Sequence, residues 1–455
     1  MTSSQAFVWW RSHAKDTSPG DIPWLEIGED SFQERERRIT GRHRLPGPVP
    51  DWADDLFRIA RAAFLADKYV RRAGTEDRWT RHIRLSVPVL DRDRWESTTA
   101  LGHITALLET LTSDVWEVEY RGLTQHHVEE AIPDLGAERA SEIALFSGGL
   151  DSLSWAASCA RANTTRPLLL VMFREIGLLR LQQQVYASVK RIAKSREILL
   201  LPMSQTPAGD GSGKRPETSS RSRGLLYMAG AIRAATAHGG TTVHVPENGQ
   251  LALNPSLTSA RSAACSTRSV HPWTLQHLNR LLAAVIGDES TVEVVNPLAR
   301  LPKGEVCRAA RASGLHPSDL EATLSCGRPP ARRRHGPRLA NCGICFPCLV
   351  RRSSLLHANG TDHTPYAASP WTEDPESQRM ADWRALQRWL HRPYSMADLL
   401  ADTPLPQGTD RRAALDVLTK GRKELSQLLS ETRSADHESG SVPTTCSASA
   451  STCCS

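Results

Sequence analysis

ALFSGGLDSLSWAA, running from Ala144 to Ala157, decides the fold. The apolar run IALF ends at Ser147, Gly148 and Gly149, and a helix-like stretch opens at Leu150, Asp151 and Ser152. A helix start leaves backbone N–H groups unpaired and carries the positive end of the helix dipole, so it receives anions. Glycines let the backbone approach phosphate oxygens and take up φ > 0. Ser147 and Ser152 add hydroxyls. Asp151 is out of place beside a phosphate unless a cation bridges the two, which points to Mg²⁺. A serine-capped tight turn accounts for any one of these residues but not for the set.

Working outward, short apolar runs recur: PLLLVMF from Pro167, EILLLP from Glu197, TTVHVP from Thr241 and TVEVVNP from Thr291. Helix-like segments such as GLLRLQQQVYASVKRIAK and GLLYMAGAIRAATA separate them. Apolar strands alternating with helices mean a parallel sheet with helices on both faces. Ligands bind beyond the carboxyl ends of such strands, where SGGLDS falls. The fold class is therefore α/β. The ordinary phosphate-binding P-loop is absent: in GDGSGKRP, Ala208 stands where its first glycine belongs and Arg215 where its hydroxyl belongs.

Upstream, DWADDLFRIARAAFLADKYV and ESTTALGHITALLETLT have helical spacing, and HIRLSVPVLD and DVWEVEYRGL alternate like strands. Residues 1–135 form an α+β domain by this reading, a candidate for partner docking. Its first 45 or so residues are charged and punctuated by Pro and Gly, with Trp9, Trp10 and Trp24 as anchors. The parallel-sheet domain, with the cysteine module, spans 136–360 and a helical segment 361–432, with Trp383, Leu386 and Trp389 on one face. Residues 433–455, rich in Ser and Thr, are expected to be a disordered tail. Met203 to Arg223 reads as a mobile loop.

The 455 residues are 40% apolar and 23% charged, ordinary values for a globular protein. No apolar run of about 18 residues crosses a membrane. MTSSQAFVWWRSHAKD lacks the layout of a secretory signal, so a cytoplasmic location is expected. A net charge of +6 admits anionic ligands but is too mild to argue for a nucleic-acid partner.

Four of the ten cysteines form C-x₁₅-C-x₂-C-x₂-C: Cys326, Cys342, Cys345 and Cys348. Four thiolates in so short a span suit a closed structural Zn²⁺ site, with an iron–sulfur centre as the competing reading. Cys446, Cys453 and Cys454 sit in the polar tail as solvent-facing thiols. The basic run Arg332, Arg333, Arg334 and His335, between the first two ligands, reads as a solvated knuckle or a surface for tRNA.

SGGLDS resembles the SGGxDS signature of the PP-loop ATP pyrophosphatases, which cleave ATP between its α and β phosphates. Together with the cysteine module it is similar to the QueC family, the 7-cyano-7-deazaguanine synthases. NPLARLPKGEV (Asn296 to Val306), SRSRGLLYMAGAIRAA (from Ser220) and CGICFPCLVRR (Cys342 to Arg352) resemble segments of that family. The resemblance covers about residues 140 to 355. It implies that Ser147, Gly148, Gly149, Leu150, Asp151 and Ser152 hold the leaving pyrophosphate, with ATP, Mg²⁺ and Zn²⁺ as cofactors. It further implies an ATP-dependent carbon–nitrogen ligase that adenylates the carboxylate of a deazapurine acid such as 7-carboxy-7-deazaguanine.

The block from Pro246 to Trp273 departs from the synthases. With the extra N-terminal region, it resembles the QueC-like proteins of anti-phage defence systems, the QatC branch, where the acid is joined to the N-terminal amine of a partner protein. A synthase using free ammonia, a tRNA-modifying PP-loop enzyme and a non-catalytic ATP-sensing assembly protein are the other readings. Glu247 and Asn248 meet a purine edge or ribose, or simply form an Asn-Gly turn. Arg268 is a candidate partner for the substrate carboxylate, and His271 for the proton of the attacking amine. Lys303 and Arg223 are candidate phosphate ligands; the bland alternatives are a first-turn lysine and a solvated loop arginine.

Overall fold

In the computed structural model of the protein the described residues are 5–13, 15–28, 45–123, 138–175, 177–204, 216–217, 221–257, 268–287, 291–328, 331–332 and 339–438. The first region runs β1 (Ala6–Arg11), β2 (Leu25–Gly28), α1 (Asp51–Tyr69), β3 (His82–Val89), α2 (Arg92–Glu96), α3 (Thr98–Thr112) and β4 (Val115–Gly122). Its sheet has the order β2-β1-β3-β4, with every pair parallel. Along β4, Trp116, Val118 and Tyr120 point inward, while Glu117, Glu119 and Arg121 alternate with them.

This arrangement corrects the α+β reading of the first region. Helices and strands occur as expected, but every strand pair is parallel, with α1 leading into β3 and the α2–α3 pair into β4. A parallel sheet with one polar face alternates as an antiparallel one does, so alternation does not separate the two. The first segment also holds two strands that its charge concealed. In β1, Val8 and Trp10 are fully buried and Trp9 nearly so.

The second region runs β5 (Glu142–Leu145), α4 (Leu150–Ala160), β6 (Leu168–Arg174), α5 (Leu179–Ile192), β7 (Ile198–Ser204), α6 (Arg223–His238), β8 (Thr242–His244), α7 (Gly249–Leu253), α8 (Pro272–Ile286), β9 (Glu293–Val295), α9 (Lys303–Ala312) and α10 (Pro317–Glu321). All five expected strands are present in a wholly parallel sheet of order β7-β6-β5-β8-β9. The chain leaves β5 toward β6 and β7, then crosses back to β8. The strand order therefore reverses between β5 and β8, where α/β sheets open a crevice for ligands. A cluster around α4, α5 and α9 covers one face. On the other face α6 and α8 share one continuous core with α1 and α3, running from Val8 and Leu85 through Phe64 to Leu282 and Val294.

β10 (Ala331–Arg332) and β11 (Leu339–Ala340) form a short antiparallel ribbon. α11 (Phe346–Asn359), α12 (Ala381–His391), α13 (Met396–Asp402) and α14 (Arg411–Glu438) complete the described chain. Trp383, Leu386 and Trp389 are all buried. α14 continues past Arg433, where the tail was expected to begin; residues 439–455, with the tail cysteines, lie outside the described residues, as does most of the Met203–Arg223 loop. Among the described residues no helix is long and apolar enough to cross a membrane.

Candidate functional site

The loop from Ser147 to Gly149 leaves β5 and delivers α4 directly. Gly148 has φ +79, and a Cβ there would lie 3.2 Å from Cγ of Gln182. Gln182 closes the loop from below: its Nε2 donates to the Ser147 carbonyl (3.2 Å) and the Phe173 carbonyl (3.1 Å). Ser147 Oγ accepts from Gly149 N (3.1 Å) and lies 3.3 Å from Ser152 Oγ. No side chain of the preceding residue caps α4, whose N-cap is Gly149. Ser325 Oγ accepts from Leu150 N at 3.4 Å, so the segment that leads into Cys326 reaches this helix start. The two hydroxyls and the glycine backbone thus surround a helix N-terminus, the local geometry that holds an anion.

Behind the loop, Asp151 is 7% exposed and its Oδ2 accepts from Lys303 Nζ (2.5 Å) and Asn248 Nδ2 (3.2 Å). Its Oδ1 is buried with no hydrogen-bond partner among the described residues. An orphaned, buried carboxylate oxygen has the hard donor chemistry that Mg²⁺ takes. Lys303 is the first residue of α9 and 1% exposed. Burial alone lowers an ammonium pKa, but Asp151 and Glu247 outweigh it and hold Lys303 above its usual value. The Glu247 carboxyl is pushed well above its usual range, first by burial and then by the neighbouring Asp151. Asn248 Nδ2 also donates to Glu247 (3.0 Å), while its Oδ1 caps α7 through Leu251 N (3.0 Å). Four candidates, Glu247, Asn248, Asp151 and Lys303, thus form one hydrogen-bonded group at the strand ends.

Asn296 and Gln182 belong to the site and were not singled out in the sequence. Asn296 Oδ1 accepts from Glu247 N (3.1 Å) and its Nδ2 donates to the Glu247 carbonyl (2.7 Å), which ties the turn after β8 to that after β9. A polar residue directly after an apolar strand was the available signal. A cavity of about 260 Å³ opens beside this tie, lined by Gly249, Leu253, Pro272, Leu275, Asn296 and Ala414.

Two candidates are held away from the group. Arg268 Nη1 donates to the Thr110 carbonyl (3.2 Å) near the end of α3. His271 is the N-cap of α8, with Nδ1 accepting from Trp273 N (3.2 Å). Burial, with the charge of Arg268 second, lowers its pKa to about 4, so the ring is neutral near pH 7 and a weak base. Arg223, the first residue of α6, is exposed; its guanidinium lies 5.8 Å from the ring centre of Tyr227, which stacks on Phe173 at 4.3 Å. The turn presenting it is gripped by the first region: Asp67 Oδ2 accepts from Arg221 N (2.7 Å), Ser222 N (3.0 Å) and Ser222 Oγ (3.0 Å).

The four cysteines of the module converge. Their sulfurs all lie within 4.8 Å of one another, with 3.9 Å from Cys326 to Cys345 and 3.7 Å from Cys342 to Cys348. A tetrahedral Zn–S site with bonds of ~2.3 Å has sulfur–sulfur edges of about 3.8 Å. The cluster therefore fits one Zn²⁺; an iron–sulfur cluster would hold its cysteine sulfurs farther apart. Cys342, Cys345 and Cys348 are buried, and four thiolates complete a tetrahedral shell, which is the structural type of site. Arg333, Arg334 and His335 lie outside the described residues.

No family model matches the chain. The chain is similar to the 7-cyano-7-deazaguanine synthase of Novosphingobium aromaticivorans, with 26% identity over 237 residues, which is 49% of this chain and 93% of the relative.

Proposed function

We propose that the protein adenylates the carboxylate of a 7-deazapurine acid and passes the acyl group to an amine. A carboxylate oxygen attacks the α-phosphorus of ATP and displaces pyrophosphate, giving an acyl-adenylate. The amine nitrogen then attacks the acyl carbon, loses a proton, and expels AMP as the amide forms. Adenylation is needed because a carboxylate is a poor electrophile until one oxygen becomes a good leaving group. Ser147, Ser152 and the Gly148–Leu150 backbone hold the pyrophosphate as its charge develops. Asp151 would hold Mg²⁺, whose charge would offset that of the phosphates. Lys303 orients Asp151 and adds a second positive charge beside the loop.

The observation that carries this reading is the buried Asp151–Lys303–Asn248 group behind a glycine–serine helix start, in a chain similar to a deazaguanine synthase. The cavity beside Asn296 meets that group only through its lining residues Asn296, which binds the Glu247 backbone, and Gly249, which follows Asn248. The amine acceptor in this proposal is the N-terminus of a partner protein in anti-phage defence. Its support is the likeness of the Pro246–Trp273 block and the added N-terminal region to that branch. His271 and Arg268 do not enter the scheme, since each is engaged elsewhere.

The test is product analysis. ATP, 7-carboxy-7-deazaguanine and either ammonium or a partner protein are supplied, and nucleotide and adduct masses are measured. AMP with an acyl adduct on the protein amine supports the proposal. AMP with a nitrile or amide of the free base points instead to the ammonia-using synthase. ADP, or no cleavage at all, refutes adenylation.

A further inference from the structure

We infer that the C-terminal helix α14 is part of the site's architecture and that Glu424 is a positioning residue for Lys303. Both α7, which follows Asn248, and α9, which begins with Lys303, supply groups to the same oxygen of Asp151. α14 touches both elements through one face. Val417, Gly421 and Glu424 stand at i, i+4 and i+7, the spacing of a single helical stripe. A Cβ on Gly249 would lie 3.0 Å from Val417 Cγ1, and one on Gly421 2.6 Å from Cδ of Gln250. A Cβ on Gly304 would lie 2.5 Å from Glu424 Oε1. Gly421 and Gly304 thus allow this close approach of α14 to α7 and α9, whereas a Cβ on Gly249 would meet the Ala299 carbonyl first, at 2.0 Å.

Glu424 does more than pack. It is 4% exposed and its Oε2 accepts from Gly304 N at 3.1 Å. The first N–H groups of a helix have no partner within it, and α9 has Pro302 as its N-cap with no side-chain cap. Glu424 supplies that missing acceptor from a distant segment. It acts one residue from Lys303, a cation at the positive end of a helix dipole, where only fixed neighbours keep it in place. Without the acceptor the first turn of α9 frays, and the Lys303 ammonium loses its register with Asp151.

The inference rests on the reading that Lys303 and Asp151 serve the ATP reaction, so the test has two arms. Hydrogen exchange of residues 304–306 and AMP formation are measured on the full chain, for the wild type, Glu424→Gln and Glu424→Ala. Glutamine keeps an acceptor for Gly304 N, so kcat should stay within about twofold of wild type and exchange at 304–306 should be no faster than wild type. Alanine should speed exchange at 304–306 about tenfold. It should also lower kcat about tenfold with KM for ATP little changed, since misplacement costs the chemical step. Wild-type exchange and kcat in Glu424→Ala, or equal losses in Glu424→Gln, would overturn the inference. Should Glu424→Ala fail to fold, Gly421→Ala pushes α14 off Gln250, and unchanged exchange at residues 249–253 and 304–306 would equally overturn it. If the wild type forms no AMP the adenylation reading fails, and the exchange arm alone decides the brace.

Discussion

Replacing Lys303 with methionine keeps an unbranched side chain, one heavy atom shorter, and removes the charge that the Asp151 carboxylate faces. The pair is shielded from water, with side-chain exposures of 1% for Lys303 and 9% for Asp151, so solvent screening gives little relief. Removing one partner of a buried pair costs about 3–5 kcal/mol, because the remaining charge is left uncompensated. The cost depends on pH in a defined direction. In the wild type the folded pKa of Lys303 lies above its unfolded value, so its contribution is complete below pH ~10 and unchanged between pH 5 and 8. In Lys303→Met the Glu247 carboxyl, already pushed well above its usual range by burial and by Asp151, loses the cation that pulls it down, so its folded pKa rises further. That penalty is absent below the unfolded carboxylate value of about 4 and grows as pH rises toward the folded value. Urea unfolding at pH 5 and pH 8 measures it: the variant's deficit should be several-fold larger at pH 8. The double variant Asp151→Asn/Lys303→Met should recover much of the loss. A deficit below about 1 kcal/mol, the size for an exposed pair, or one equal at both pH values would refute this account of the pair.

Three further outcomes follow from the same geometry. Gly148→Ala places an L side chain at φ +79 and against Gln182; it should cost about 1–2 kcal/mol and weaken ATP binding at least severalfold by calorimetry. Metal analysis of the purified protein should find one zinc per chain, and Cys345→Ser should lose it together with several degrees of melting temperature. Burial pushes Glu424 up to about 7, against the pull of the Gly304 amide, so its ionisation penalty develops as pH rises from about 4.3 to 7. Glu424→Gln removes that penalty and should gain roughly 2–3 kcal/mol relative to wild type between pH 4.5 and 8 in urea unfolding.

What could be read from the sequence was local in the chain. The five strands of the second sheet announce themselves as apolar runs because both of their faces are covered. SGGLDS and the cysteine quartet are contiguous, so residue type and spacing alone suggest their geometry. The strand order then brings Glu247 and Asn248 beside Asp151, because they end a neighbouring strand. Other features needed the folded chain. Gln182, Asn296, Ser325 and Glu424 are single polar residues whose partners lie far away in sequence, and no pattern marks them. Arg268 and His271 have side chains suited to the chemistry, yet local structure uses them first, one to bind a helix carbonyl and one to cap a helix. The parallel pairing of the first sheet was hidden because its polar face makes β4 alternate. The first region had no visible chemistry, yet in the folded chain its Asp67 fixes the turn that presents Arg223.

In the proposed reaction the acid is activated by adenylation before any amine attacks. The direct test is exchange of labelled pyrophosphate into ATP with 7-carboxy-7-deazaguanine present and no amine supplied. Label should enter ATP only when the acid is present, and the exchange should be lost in Asp151→Asn while that protein remains folded. Nucleotide that binds, but takes up no label at any concentration of the acid, would contradict the account.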